Sequence, residues 1–100
     1  MISFIVVNWN TKALTIKAIQ SIRKHVDEEH QVIVVDNYSS DGSIEVLQNT
    51  FSDIRLIANP ENLGYAKANN QGIEAANGEI FILLNSDAEL LSPTAVPLLM

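Results

Sequence analysis

One hundred residues, 47% of them hydrophobic, hold one domain with one core. A formal charge of −6, with six scattered Lys and Arg, excludes general nucleic-acid binding, which needs clustered cations against phosphates. The lack of cysteine excludes disulfides and thiolate zinc sites and suits the reducing cytoplasm, while no apolar run approaches the ~20 residues of a transmembrane segment and Met1-Ile2-Ser3-Phe4 has no signal-peptide character.

Along the chain, Ile2 to Val7 is an apolar, β-branched run that predicts a strand buried on both faces. Thr11 to Val26 predicts an amphipathic helix. Leu14, Ala18, Ile22 and Val26 recur at four-residue steps with Ile19 on the same side, behind a cap at Asn10 or Thr11. Val32 to Val35 repeats the doubly buried strand pattern. Ile44, Leu47 and Phe51 mark a second helix after a cap at Ser40 or Asp41. Ile54 to Ala58 is a third strand. Ala66, Ile73 and Ala76 form the stripe of a third helix, with Gly78 placed as its C-terminal cap. Ile80 to Leu84 is a fourth, again doubly buried strand. The order predicts an α/β fold: a mainly parallel twisted sheet of about four strands with right-handed crossover helices, a Rossmann-like half. Ser92-Pro93 reads as a helix start, and Thr94 to Met100 carries no charge. Such an ending predicts a domain that continues past residue 100, with self-association as a homo-oligomer through the apolar end.

Each strand exits into a polar cluster: Asn8-Trp9-Asn10, then Asp36 to Gly42, then Asn59-Pro60-Glu61-Asn62, then Asn85-Ser86-Asp87. In open α/β sheets the ligand crevice lies outside these carboxyl ends, so four segments aim polar groups at one edge. Asp36 is either a turn residue or an acceptor for hydrogen bonds from a base or sugar. Asp41 is a cap for the second helix or a further site carboxylate. Asp87 either caps a turn or holds a divalent cation, which one carboxylate can do when a diphosphate supplies the other ligands. Glu89 is expected in solvent. Asn69 and Asn70 fall beside the third helix's stripe, where a buried amide must find partners. Trp9 and Tyr65 are expected to pack at the sheet edge, the other reading being a ring face for a base or sugar. His25 and His30 are expected on the surface. No glycine follows the first strand, so the dinucleotide fingerprint and Walker loop are absent, as is a G-x-S-x-G elbow.

Four blocks together resemble family 2 glycosyltransferases, above all bacterial rhamnosyltransferase-like members. They are Phe4 to Asn10, Val34 to Ser43, Asn59 to Ile73 and Leu83 to Glu89, in family order and spacing. The resemblance implies a glycosyltransferase A-type fold whose first part binds a nucleoside-diphosphate-sugar. It implies inverting transfer to a saccharide or lipid-linked acceptor, in cell-envelope polysaccharide synthesis, in the cytoplasm or at the inner membrane face. The residue matching Asp36 contacts the nucleobase, and Asn8, Trp9, Asn10, Asn37 and Asn85 belong to the donor pocket. Asp87 matches the metal ligand of the "DxD" position, for Mg2+ or Mn2+, and Asn85 replaces the first acid. The general base of the family lies well past this motif, so none is assigned within these residues. A diphosphate entering a domain of charge −6 needs compensation, for which Lys12 and Lys67 are the nearby cations and a metal at Asp87 the remainder. Two other readings stay open: a non-catalytic nucleotide-sugar-binding module, and a flavodoxin-like receiver domain with Asp36 as phosphoacceptor.

Overall fold

The alternation of apolar runs and amphipathic stretches becomes a layered α/β structure. A computed structural model describes residues 1–77 and 79–85. The elements in order are β1 (Ile2–Asn8), α1 (Lys12–His25), β2 (His30–Asp36), α2 (Ser43–Thr50), β3 (Arg55–Ala58), α3 (Tyr65–Ala75) and β4 (Ile80–Asn85). The strands form one parallel sheet in the order β3-β2-β1-β4. The chain steps outward from β1 to β3, then returns past β1 to lay β4 on its other side. The strand order therefore reverses between β1 and β4. The flavodoxin-like order differs from this one, so the receiver reading falls.

Two-residue periodicity sends alternate side chains of β1 and β2 to opposite faces, and both faces are covered. On one, Ile2, Phe4, Val32 and Val34 pack against Ile19, Ile22 and Val26 at α1 and Leu47 of α2. On the other, Ile5, Ile33 and Val35 pack with Ala68 of α3. Each such fully buried side chain contributes roughly 1.5–3 kcal/mol, so the two central strands carry the core.

Four expectations are corrected. β4 is not buried on both faces: Phe81 is 44% and Leu83 48% exposed. Their register beside Ser3 and Ile5 puts them on the α3 face, but α3 packs on β1 and β2 and leaves this edge strand uncovered among the described residues. Leu14 and Ala66 leave the buried stripes of α1 and α3. Thr15, Ala18, Ile19 and Ile22 are buried in α1, and Ala68, Asn69 and Gly72 in α3. His30 is no plain surface residue. It opens β2, stands edge-on to Phe4 with ring centroids 5.9 Å apart, and receives a 2.7 Å hydrogen bond from Arg23. The Gly78 cap lies outside the described residues.

Gly72 sets how closely α3 approaches β1. A Cβ there would clash with Ile5 Cγ2, a methyl on a β-branched side chain that is wholly buried. Alanine gains helix propensity of up to about 1 kcal/mol, yet overpacking costs about 1–3 kcal/mol. Gly72→Ala is therefore expected to lower the urea midpoint. Combined with Ile5→Ala, which removes the clashing carbon, the same glycine substitution should be neutral or stabilising; strictly additive losses would rule out this contact as the cause.

Candidate functional site

The site begins with a carboxylate held inside the fold. Asn8 and Asp36 are the last residues of β1 and β2, paired in register, and neither is exposed. Asn8 Nδ2 donates to Asp36 Oδ1 at 2.7 Å. Ser39 adds its hydroxyl to the same oxygen at 2.7 Å and its backbone N–H to Oδ2 at 2.9 Å. The Asn8 carbonyl is occupied in turn by the hydroxyls of Thr11 and Thr15, at 3.0 and 2.6 Å. A buried charge of this kind persists because donors surround it. It folds the loop after β2 tightly enough to hold Tyr38 at φ +70°, a conformation that costs a bulky residue about 1–3 kcal/mol.

The same loop starts two helices. Asp41 Oδ2 accepts the backbone N–H of Lys12, the first residue of α1, at 3.2 Å. Its Oδ1 accepts the backbone N–H of Ser43, the first residue of α2, at 3.0 Å and also takes the Ser43 hydroxyl. One carboxylate thus satisfies an orphan donor and faces the positive dipole end of each helix. This settles Asp41 as a cap, and it caps α1 as well, where the Thr11 side chain makes no capping bond. Burial raises the Asp41 pKa, but the bonds from Ser43 and Lys12 outweigh it and leave the carboxyl below the ordinary 3.8. Asn10, at φ +53°, stitches the two loops: its carbonyl accepts Ser40 N–H at 2.7 Å, and its own N–H donates to Ser39 Oγ at 2.9 Å.

A third set of bonds fastens the start of α3. Asn37 Oδ1 accepts Asn59 Nδ2 at 3.0 Å and Leu63 N–H at 3.3 Å, and Asn37 Nδ2 donates to the Gly64 carbonyl at 3.1 Å. Asn59 and Gln71 exchange two amide bonds of 2.8 Å. Gly64, at φ +88°, makes the turn into α3 that a side chain would strain.

Above these supports lies a cavity of about 500 Å³, lined by Val7, Trp9, Thr11, Leu14, Asn37, Asn62, Tyr65 and Asn85. It sits where the strand order reverses, between the ends of β1 and β4 and the starts of α1 and α3, the place where open α/β sheets bind ligands. Among the described residues, no lining side chain carries a formal charge. Trp9 and Tyr65, 52% and 53% exposed, stand at the cavity instead of packing at the sheet edge. Tyr65 Oη donates to Asn85 Oδ1 at 2.5 Å.

Of the donor residues expected from the sequence, Trp9, Asn37 and Asn85 line this cavity; Asn8 and Asp36 lie buried beneath, and Asn10 closes the neighbouring loop. Thr11, Leu14 and Asn62 were missed; a four-residue apolar rhythm had placed Leu14 in the core. Lys12 is turned to the Asp41 carbonyl at 3.0 Å, and Lys67 is exposed on α3. Asn70 is exposed, whereas Asn69 is buried with no partner for its carbonyl oxygen among the described residues. The described residues do not by themselves fit a metal: no three acidic or histidine side chains among them converge, Asp36 is enclosed by donors, and the Asn85 carbonyl already takes a proton. Asp87, Ser86 and Glu89 lie outside the described residues, as does the uncharged end from Ser92 to Met100. No helix among the described residues is long and apolar enough to cross a membrane.

The sequence model of glycosyl transferase family 2 matches residues 3–99. The chain belongs to this family. It is 36% identical over 95 residues to the GalNAc(5)-diNAcBac-PP-undecaprenol beta-1,3-glucosyltransferase of Campylobacter jejuni, covering 91% of this chain and 31% of that protein. It superposes on the mannosyltransferase PcManGT of Pyrobaculum calidifontis, solved with GDP-Man and Mn2+, with a TM-score of 0.82 at 26% identity, covering 95% of this chain and 30% of that one. The S. aureus TarS 1-349 complex with UDP superposes with a TM-score of 0.85 at 22% identity, over 98% of this chain and 30% of that one, a likeness of fold. The chain spans 22 to 36% of the length of the first curated relatives it matches.

The double cap predicts a distinctive pH response. Asp41→Ala should lose roughly 1–2 kcal/mol of stability at pH 7, the scale of a lost N-cap. Because the folded-state pKa is lowered, this contribution is complete above the unfolded-state value and disappears as pH falls through the folded one. Urea unfolding of both proteins should therefore show a gap that is constant near neutrality and narrows below pH 4. A gap unchanged in acid would mean that the carboxylate's charge does not carry the cap.

Proposed function

We propose that this protein supplies the donor side of an inverting glycosyltransferase and binds a nucleoside-diphosphate-sugar in the crevice between β1 and β4. The observation that carries the reading is the uncharged cavity at the strand-order reversal, large enough for a nucleotide. Trp9 offers a ring face to the base, and stacking of this kind contributes about 1–3 kcal/mol. Asn37 and Asn85 offer amide groups to ribose or phosphate. Asp36 acts from below: its buried carboxylate fixes the floor on which the base settles. The start of α3 contributes a positive dipole end toward a diphosphate.

Mg2+ or Mn2+ is assigned to Asp87, with diphosphate oxygens as further ligands. Support comes from the family position of Asp87, the formal charge of −6, and the Mn2+ bound with GDP-Man in the Pyrobaculum enzyme. Bound there, the ion supplies Lewis-acid stabilisation of the leaving diphosphate. The general base that deprotonates the acceptor hydroxyl is assigned to sequence past Met100, as in the family. The acceptor is read as a saccharide or lipid-linked saccharide, met in the cytoplasm or at the inner membrane face; the PP-undecaprenol saccharide in the name of the C. jejuni relative supports the lipid-linked reading.

The chain's single tryptophan is Trp9, at the cavity, so its fluorescence reports binding directly. Titration with UDP, GDP and dTDP is expected to change the emission for at least one nucleotide. Calorimetry should find Trp9→Ala about tenfold weaker or more, and Mn2+ should tighten binding in the unaltered chain but not in Asp87→Ala. Silence toward all three nucleotides would sink the donor reading; metal dependence that survives Asp87→Ala would sink the metal assignment alone.

A further inference from the structure

We propose that Tyr65 is a positioning residue that fixes Asn85 as a hydrogen-bond donor toward the bound nucleotide, an inference that rests on the donor-site reading above. The 2.5 Å contact between Tyr65 Oη and Asn85 Oδ1 needs a proton between the two oxygens. The amide oxygen has none, so the phenol supplies it. An amide nitrogen in the same place would stand closer than N–H···O bonds do, so the short contact also fixes which end of the amide faces Tyr65. The carbonyl of Asn85 is thereby occupied, and its NH2 is the end left for a ligand. Asn85 therefore meets acceptor atoms, such as phosphate or hydroxyl oxygens, and does not use its oxygen on a cation.

The rest of the site holds Tyr65 for this task. Its ring is 53% exposed, so burial does not place it. It is the first residue of α3, directly after Gly64, and Asn37 grips that junction through Leu63 N–H and the Gly64 carbonyl. Asn85 is the last residue of β4, in register with Val7, so both partners stand on the ends of regular elements at one cavity.

The test is a double-mutant cycle read by calorimetry, with whichever of UDP, GDP or dTDP the unaltered chain binds best. Tyr65→Phe keeps the ring and removes the hydroxyl. It should weaken binding about fivefold, the scale of one hydrogen bond, and should cost less than twofold in an Asn85→Ala background, because Tyr65 acts through Asn85. Asn85→Asp keeps the oxygen and removes the donor, and should bind at least as poorly as Asn85→Ala with or without Mn2+. A Tyr65→Phe loss that persists in full without Asn85, no loss at all, or tighter Mn2+-dependent binding by Asn85→Asp would overturn the proposal while leaving the donor reading intact. An unaltered chain that binds none of the three nucleotides would overturn both.

Discussion

The buried carboxylate of Asp36 is the constraint on which the rest of the site is built. An ion removed from water costs several kcal/mol unless donors replace its hydration. Here Asn8 and the Ser39 hydroxyl and backbone supply them. Because Asn8 and Asp36 close paired strands in register, satisfying one charge fixes the exits of both. The loop that wraps it presents Asn37 on one side and Asp41 on the other. Asn37 clamps the entry to α3, and Asp41 receives the starts of α1 and α2. Most of the crevice is thus arranged from a residue that does not line it.

The order of elements was legible because β1 and β2 are covered on both faces, which makes the centres of their sequences almost continuously apolar. β4 reads identically yet is an edge strand, since apolarity states what a strand is able to bury and not what covers it. In α1 the failure was geometric. Four residues overshoot a helical turn by about 40°, so a strict four-step pattern drifts around the helix. The buried stripe instead mixes steps of four and three, Thr15, Ile19, Ile22 and Val26, and turns Leu14 out to the cavity. In α3 the closest point to the sheet is Gly72, which has no side chain for a hydrophobic pattern to register.

The site was legible by position and less so by role. Strand exits carrying Asn or Asp marked the edge of the sheet at which the cavity opens. The division between Asn37 and Asn85, which line the cavity, and Asn8 and Asp36, which support it, depends on which face each side chain takes at or just after the end of its strand. That parity follows from register and not from composition. The hydrogen bond between Tyr65 and Asn85 joins residues twenty apart on different elements, and no local pattern encodes such a pairing.

The prevalence of asparagine at the strand exits has an electrostatic reason. In a chain of net charge −6, each carboxylate placed at this crevice would add to the negative potential there. Amides provide donors and acceptors without adding charge, so Asn37, Asn62 and Asn85 give the cavity polar specificity at no Coulombic cost. The two acids of the loop after β2, Asp36 and Asp41, are each turned to donors of the surrounding strand and helix ends. Among the described residues, negative charge thereby holds the frame, while the lining of the cavity is neutral.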